Sequence, residues 1–253
     1  MDTILRESAP SGSAHSPFIL YIGIVLLAAG QSKRMGVNKQ LLPWKGKTVL
    51  DTVCAALREG WEEDFSDQII NRNTPSIRID GKLFIAVIGN QDRYEMQDIV
   101  ERCGFAAIHN EWSEEGQGLS IALGVEQLLR ENPMILDGVI CSVADQPLLE
   151  PFVIRQLIAT FRSNPNRVDG DGLCRSIIVP LYGPLRKPGN PVLFGSYWFG
   201  ALTRNKGDKG GKTIIHGPGK NYVQHIWISV DIGDDIDTPE DFQRISNRES
   251  EDV

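Results

Sequence analysis

Short apolar runs alternate along this chain with stretches in which apolar residues recur every three or four positions. The first run, Gly23 to Leu27, stops at Ala28, Ala29 and Gly30 and reads as a buried strand feeding a tight turn. Thr48 is placed to cap a helix to about Arg58, with Val49, Leu50, Val53 and Leu57 on one face. From Trp61 to Gly81 the rhythm breaks, first acidic and then Asn71-Arg-Asn-Thr-Pro75, and the stretch reads as a surface insertion. Lys82 to Gly89 predicts a second strand, Asn90 the cap of a helix to about Cys103, and Phe105 to His109 a third strand. A helix follows from Leu119 to Arg130, then a fourth strand from Gly138 to Val143, and Pro151 opens a helix to about Arg162. The last third is less regular. Ile177 to Leu181 and Gly189 to Phe194 read as strands, Ser196 to Thr203 as a short helix, and Tyr222 to Asp231 as an alternating strand. Thr238-Pro-Glu-Asp241 has a capping residue, a proline at the first helical position and an acidic residue three beyond the cap.

Short buried strands alternating with helices predict an α/β fold: a mostly parallel twisted sheet with helices on both faces, in a single domain. Residues 1–20, rich in Ser, Pro, Gly and Ala, predict a disordered leader; the domain spans 21–247 with the 61–81 insertion, and 248–253 is a tail.

Of the 253 residues 41% are hydrophobic and 23% charged, enough apolar surface for one full core. A net charge of −7 argues against nucleic acid or an anionic membrane as partner. Phosphate binding then requires a local cluster of cations. The four cysteines (54, 103, 141 and 174) form no CxxC pair, which points to reduced thiols in a cytoplasmic protein. Phe18 to Ala29 has the look of a signal-peptide core. It follows Asp2, Arg6 and Glu7 rather than a basic cluster, and it is shorter than the roughly 20 residues a membrane-spanning helix needs.

The loop after the first strand carries Gly30, Lys33, Arg34, Gly36 and Lys39. Bare backbone N–H groups beside cations, at the carboxyl end of the first strand of an α/β sheet, suit a phosphate. Asp145 emerges from the fourth strand at the same sheet edge. A carboxylate facing a phosphate loop calls for a cation between them, and Mg²⁺ takes one or two carboxylates plus phosphate oxygens; an ordinary strand-to-helix turn is the other reading of this residue. Asp231, Asp234, Asp235 and Asp237 crowd another strand end, and periodicity leaves open which of them faces a metal. Gly207-Asp-Lys-Gly-Gly-Lys-Thr213 imitates a P-loop, but three residues rather than four separate Gly207 from Gly211, and no buried strand precedes it. There is no GxGxxG and no GxSxG, and the four histidines lie far apart.

Leu27-Ala-Ala-Gly-Gln-Ser-Lys-Arg-Met-Gly-Val-Asn-Lys39, with Leu42-Pro-Trp44 and Gly46-Lys-Thr-Val-Leu50, resembles the signature of MobA-like nucleotidyltransferases. Ala144-Asp-Gln-Pro-Leu148, Gly189-Asn-Pro-Val-Leu-Phe194, Gly207-Asp-Lys-Gly210 and Asp235-Ile-Asp-Thr-Pro-Glu-Asp241 narrow the resemblance to the molybdenum cofactor (molybdopterin) cytidylyltransferases. The resemblance implies a Rossmann-like fold of the nucleotide-diphospho-sugar transferase type. It also implies transfer of a nucleoside monophosphate, CMP from CTP, to the phosphate of molybdopterin, in support of a molybdoenzyme such as a xanthine dehydrogenase. By motif, Leu27, Ala28, Ala29, Gly30, Gly118, Leu119 and Ser120 hold the nucleotide, and Arg34 and Lys39 neutralise the triphosphate. Asp145 and Asp237 hold Mg²⁺, and Asn190 and Pro191 face the acceptor. The chain departs from the family at Asn190, where His is common, and in Gly116-Gln-Gly-Leu-Ser120, where a GxSSS-like run is usual. CTP rather than GTP follows from Ala29, where guanylyl-transferring relatives tend to have Gly. Two other readings remain: a nucleotidyltransferase for a sugar or small alcohol phosphate, and a non-catalytic molybdenum-cofactor chaperone.

Overall fold

The computed structural model describes residues 21–69, 83–132, 136–164, 166, 171–205, 207 and 210–251. The expected leader at 1–20 lies outside them, as do residues 70–81 of the expected insertion and the last two of the tail.

The chain runs β1 (Ile22–Ala28), β2 (Pro43–Trp44), β3 (Lys47–Thr48), α1 (Val49–Ile69), β4 (Phe84–Ile88), α2 (Arg93–Arg102) and β5 (Ala106–His109). It continues through α3 (Gln117–Glu131), β6 (Gly138–Val143), α4 (Pro151–Ser163), β7 (Ile177–Tyr182), β8 (Lys187–Pro188) and β9 (Val192–Gly195). The last elements are α5 (Phe199–Leu202), α6 (Lys212–His216), β10 (Val223–Ile228) and α7 (Pro239–Glu251). The main sheet has the order β10-β7-β9-β6-β1-β4-β5, with β8 paired to β7; β2 and β3 form a separate hairpin. β1 pairs in parallel with β4 and β6, β4 with β5, and β7 with β10, while β9 runs antiparallel between β6 and β7. The mostly parallel sheet expected from the sequence is therefore present, with one reversed strand inside it.

β1 is buried along its whole length, and its alternate residues supply two cores. Ile22, Ile24 and Leu26 pack with Leu50, Val53 and Leu57 of α1, Met96 and Val100 of α2, and Ile154 and Leu157 of α4. Val25 and Leu27 pack on the other face with Ile121, Val125 and Leu128 of α3, joined by Phe199 and Leu202 of α5. Each fully buried aliphatic side chain contributes roughly 1.5–3 kcal/mol, so the sheet is fixed from both sides. Strand order reverses at β1: the chain steps outward to β4 and β5, then returns through α3 to β6. The carboxyl ends of β1 and β6 thus flank a topological switch point, where α/β sheets open a crevice for ligands.

Several boundaries differ from the sequence reading: the strand expected to reach Asp231 ends at Ile228, the one expected from Gly189 begins at Val192, and two helices differ in ways that bear on packing. The helix expected to end near Arg58 continues to Ile69, and Trp61 is buried, donating its indole N–H to the Ile22 carbonyl at 2.8 Å. Between them lies Gly60, where α1 meets α4. A Cβ there would overlap the Pro151 carbonyl and stand 2.7 Å from Ile154 Cβ. Asn90 does not cap α2: Asp92 is the residue before its first turn, in the left-handed region at φ 49°, and Asn90 instead donates to the Glu111 carbonyl at 3.3 Å. The start of α7 is as read, with Thr238 Oγ1 accepting from the Asp241 N–H and Asp241 accepting from the Thr238 N–H. Among the described residues no helix is long and apolar enough to cross a membrane.

Candidate active site

Ser32 shapes the loop after β1. Its carbonyl accepts from the Met35 N–H at 2.9 Å and its hydroxyl from the Lys39 N–H at 3.1 Å, which folds the loop back on itself. Asn38 Oδ1 accepts from the Gln40 N–H and starts a 3-10 turn over Lys39–Leu41. That turn drives Lys39 inward until its side chain is 10% exposed, an environment an ammonium tolerates only when paired.

The pairing comes from both predicted carboxylates. Lys39 Nζ lies 2.6 Å from Asp145 Oδ2 and 3.0 Å from Asp237 Oδ1, and Arg34, two-thirds exposed, reaches Asp237 Oδ2 at 2.9 Å. The four charged residues expected to act together therefore converge, though Asp237 lies about two hundred positions from Arg34 in sequence. Burial pulls the Lys39 ammonium down, but Asp145 and Asp237 outweigh it and its pKa ends raised. Burial also pushes the Asp237 carboxyl up, and its contacts with Lys39 and Arg34 more than reverse this, leaving it lowered.

Asp237 is held by its own segment. The Ile236 N–H donates to the Asp145 carbonyl at 2.9 Å, so the α7 approach is hydrogen-bonded to the end of β6. Gln146, 1% exposed, donates from Nε2 to the Gly233 carbonyl at 2.9 Å and to Asp235 Oδ1 at 2.6 Å. Asp235 is thus a third carboxylate at the site. Burial first, then the charges of Asp145 and Asp237, push its pKa up to about 6. The remaining members of the acidic cluster are structural: Asp234 pairs with Arg244 and Arg248, and Asp231 lies 4.0 Å from Arg248.

Two cavities meet at the β1 loop. The larger, of about 290 Å³, lies between the β1 loop (Ala28 to Gln31), the β4 end (Gly89, Asn90, Gln91) and Glu111, Ser113 and Glu114. Gly89 keeps its wall thin, since a Cβ there would stand 3.0 Å from the Ala29 carbonyl oxygen. The smaller, of about 150 Å³, is lined by Leu27, Ala29, Gly30, Lys39, Ser120, Val143 and Asp145 among others. Leu27, Ala28, Ala29, Gly30 and Ser120 all reach one or both. Ser120 is aimed by Asn110, fully buried, whose Nδ2 donates to Ser120 Oγ at 2.9 Å. Gly118 and Leu119 line neither of these cavities; they sit in the first turn of α3, where the Gly118 N–H is taken by the Gly207 carbonyl at 2.8 Å. Asn190 and Pro191 also line neither. They precede β9 at the carboxyl end of β6, and the Asn190 carbonyl accepts from Tyr182 Oη at 2.6 Å.

Asp145 Oδ1 is buried with no hydrogen-bond partner among the described residues, and Asp235 and Asp237 lie close enough to interact electrostatically, a set of carboxylate oxygens that fits a hard divalent cation. Among the described residues no three or more His, Cys, Asp or Glu are grouped to hold a metal ion by themselves. A cation here takes one or two carboxylates and completes its shell from ligand oxygens. Lys39 now stands between those carboxylates. Sequence reasoning missed Gln40, Asn90, Glu111, Ser113, Glu114 and Gln146 as parts of the site, and left Asp235 as one of four candidate carboxylates from which Asp237 was chosen. Of those missed, only Gln146 carried a signal, as the neighbour of Asp145.

A family model described as the MobA-like NTP transferase domain matches residues 24–225. The purine catabolism protein PucB of Bacillus subtilis is 26% identical over 239 residues, 91% of this chain and 97% of that protein. The crystal structure of Rv0371c from Mycobacterium tuberculosis superposes with a TM-score of 0.67 at 25% identity, covering 90% of this chain and 98% of that one. Its complex with manganese gives 0.64 at 24%, covering 89% and 97%. A nucleotidyl transferase from Methanothermobacter gives 0.60 at 18% identity, over 92% and 99%, a likeness of fold.

Proposed function

This chain belongs to the MobA-like NTP transferase family, and we propose that it transfers CMP from CTP to the terminal phosphate of molybdopterin, or of the molybdenum cofactor built on it, in the cytoplasm. An oxygen of the acceptor phosphate attacks the α-phosphorus of the nucleotide, a phosphoanhydride bond forms, and pyrophosphate leaves. Such transfers are carried mainly by positioning and charge neutralisation. The observation that carries the reading is the buried Lys39 ammonium, gripped by Asp145 and Asp237 at the mouth of the Gly30 loop.

Each residue has a part that follows from its surroundings. Ala28, Ala29 and Gly30 line the larger cavity, suited to a base. Lys39 and Arg34 turn from Asp237 towards the triphosphate and offset its charge as it builds on the leaving group. Arg34 is free to do so because an exposed ion pair is worth only about 0–1 kcal/mol. Asp145 and Asp237 offer oxygens to Mg²⁺, which, when bound, neutralises phosphate oxygens and lowers the cost of the departing pyrophosphate. The manganese complex of Rv0371c supports a divalent ion in a related protein. Asn190 and Pro191, at the same sheet edge beyond Asp145, face the acceptor.

The acceptor assignment draws on the Asp235 to Asp241 and Gly189 to Phe194 motifs and on PucB, whose name ties it to purine breakdown. Oxidation of purine rings is the chemistry of xanthine dehydrogenases, molybdoenzymes that would receive the product. Pyrophosphate release from each of the four NTPs, without acceptor, with molybdopterin and with a sugar phosphate, tests the reading. Release with CTP that depends on molybdopterin is expected; none with any acceptor marks a chaperone, and release with a sugar phosphate alone marks the other transferase.

A further inference from the structure

All four cysteines are free thiols; Cys54, Cys141 and Cys174 are buried, and Cys103, at the carboxyl end of α2, is partly exposed. Cys103 lies against one stripe of α1. Its Sγ stands 3.9 Å from Asp51 Oδ1, and its carbonyl accepts from Arg58 Nη1 at 3.1 Å. Arg102, the residue before it, pairs with Asp51 at 2.9 Å. Asp51, Cys54 and Arg58 follow one another at spacings of three and four, so they share a face of α1. Cys54 therefore sits between the two residues that hold Cys103. The two thiols meet there as hydrogen-bond partners.

Their surroundings make the two thiols unequal. The hydrogen bond from Cys54 holds the Cys103 thiol below its ordinary value; burial and Asp51 oppose this, and the Arg102 guanidinium adds to it. The same contact, with burial, pushes Cys54 well above its ordinary value. One sulfur is thus the readier thiolate and partly open to solvent, and the other is a buried thiol held against it. A thiolate is the form that oxidants attack, and a neighbouring thiol converts the first product to a disulfide. The other two cysteines have neither property. Burial pushes the Cys141 thiol up to about 12, and Cys174 is fully buried with Asp137 Oδ1 at 3.9 Å.

We propose that Cys103 is a site of reversible oxidation by peroxide, with Cys54 as the resolving thiol that closes a disulfide between α1 and α2. The Cys103 thiolate attacks one peroxide oxygen and the O–O bond breaks. The departing hydroxide takes up the proton that Cys103 released and leaves as water, and Cys103 becomes a sulfenic acid. The Cys54 sulfur attacks that sulfur, the S–S bond forms, the S–O bond breaks, and the hydroxyl leaves with the Cys54 proton as a second water. The thiol pair supplies both electrons that reduce the peroxide. A small thiol restores the pair by exchange, so the bridge is a transient state of a protein whose cysteines are otherwise reduced.

The test treats the native protein with a low molar excess of hydrogen peroxide, blocks the remaining thiols with N-ethylmaleimide, and digests it without reductant for mass spectrometry. The expected product is a peptide pair joined through Cys54 and Cys103, lost on adding dithiothreitol. This measurement needs no variant to fold. In Cys54→Ser the sulfenic acid has no partner, so Cys103 gains a dimedone adduct that the native protein lacks, and further peroxide carries it to the sulfinic acid. In Cys103→Ser, Cys54 takes up no dimedone. Oxidised native protein without the Cys54–Cys103 bridge, or bridged only through other pairs or between molecules, overturns the proposal. Equal dimedone labelling of Cys103 in the native protein and Cys54→Ser overturns the part given to Cys54.

Discussion

Replacing Lys39 with Met keeps the length of the side chain and removes its charge. In the native site the ammonium is 10% exposed and touches two carboxylates, Asp145 at 2.6 Å and Asp237 at 3.0 Å. Asp237 is 42% exposed, so solvent screens its share to under about 1 kcal/mol. The Asp145 contact is more enclosed, and a charge-assisted hydrogen bond of that kind is worth about 1.5–3 kcal/mol. Loss of stability in the presence of a chelator should therefore be about 2–3 kcal/mol, a fall in Tm of roughly 5–10 °C for a domain of this size. Divalent cation should recover more of that loss in Lys39→Met than it adds to the native protein, because the competing ammonium is gone. Catalysis should suffer more than stability: removing one preorganised charge from such a site costs about 10²–10³ in rate. Pyrophosphate release followed by a coupled assay reads the second effect, and thermal unfolding with chelator or Mn²⁺ the first. A kcat/KM within threefold of native, or a Tm unmoved in chelator, refutes the reasoning.

Two further outcomes follow from the same geometry. The Asp235 carboxyl titrates at about 6 in the folded protein, above the ordinary carboxylate range, so the folded state holds an extra proton and native stability falls as pH rises towards and through 6. Asp235→Asn keeps an acceptor for Gln146 and removes this cost; in chelator it should stabilise by about 2 kcal/mol at pH 8 and by nothing near pH 4, and an equal gain at both pH values contradicts the assignment. Gly60→Ala forces a Cβ into Pro151 and Ile154 and should lower the urea midpoint by the equivalent of about 1–3 kcal/mol; an unchanged midpoint means that α1 and α4 do not meet as described.

What could be read in advance depended on how local the cause was. β1 and β6 are continuous apolar runs, and both faces of each are covered, so periodicity and burial agree. Arg34, Lys39, Asp145 and Asp237 stand in compact motifs, and the sheet edge that joins them follows from strand order. The extension of α1 past Arg58 was hidden because Trp61 is anchored by a carbonyl on β1, a partner far off in sequence. Asn90 has the chemistry of a cap, yet its amide is spent on Glu111. Asp235 and Asp234 are adjacent and alike in type. Tertiary neighbours alone separate them, Gln146 and Asp145 for one, Arg244 and Arg248 for the other. Gln40 carried no signal because its place in the site depends on the two cavities that share it.

The central claim is nucleotidyl transfer to a phosphate acceptor, and label placement tests it most directly. With the protein, Mg²⁺ and molybdopterin, CTP labelled at the α-phosphorus should pass its label to the acceptor, while label at the γ-phosphorus should leave as pyrophosphate. Label from the γ-position on the acceptor, or unlabelled acceptor after CTP has been consumed, would contradict it.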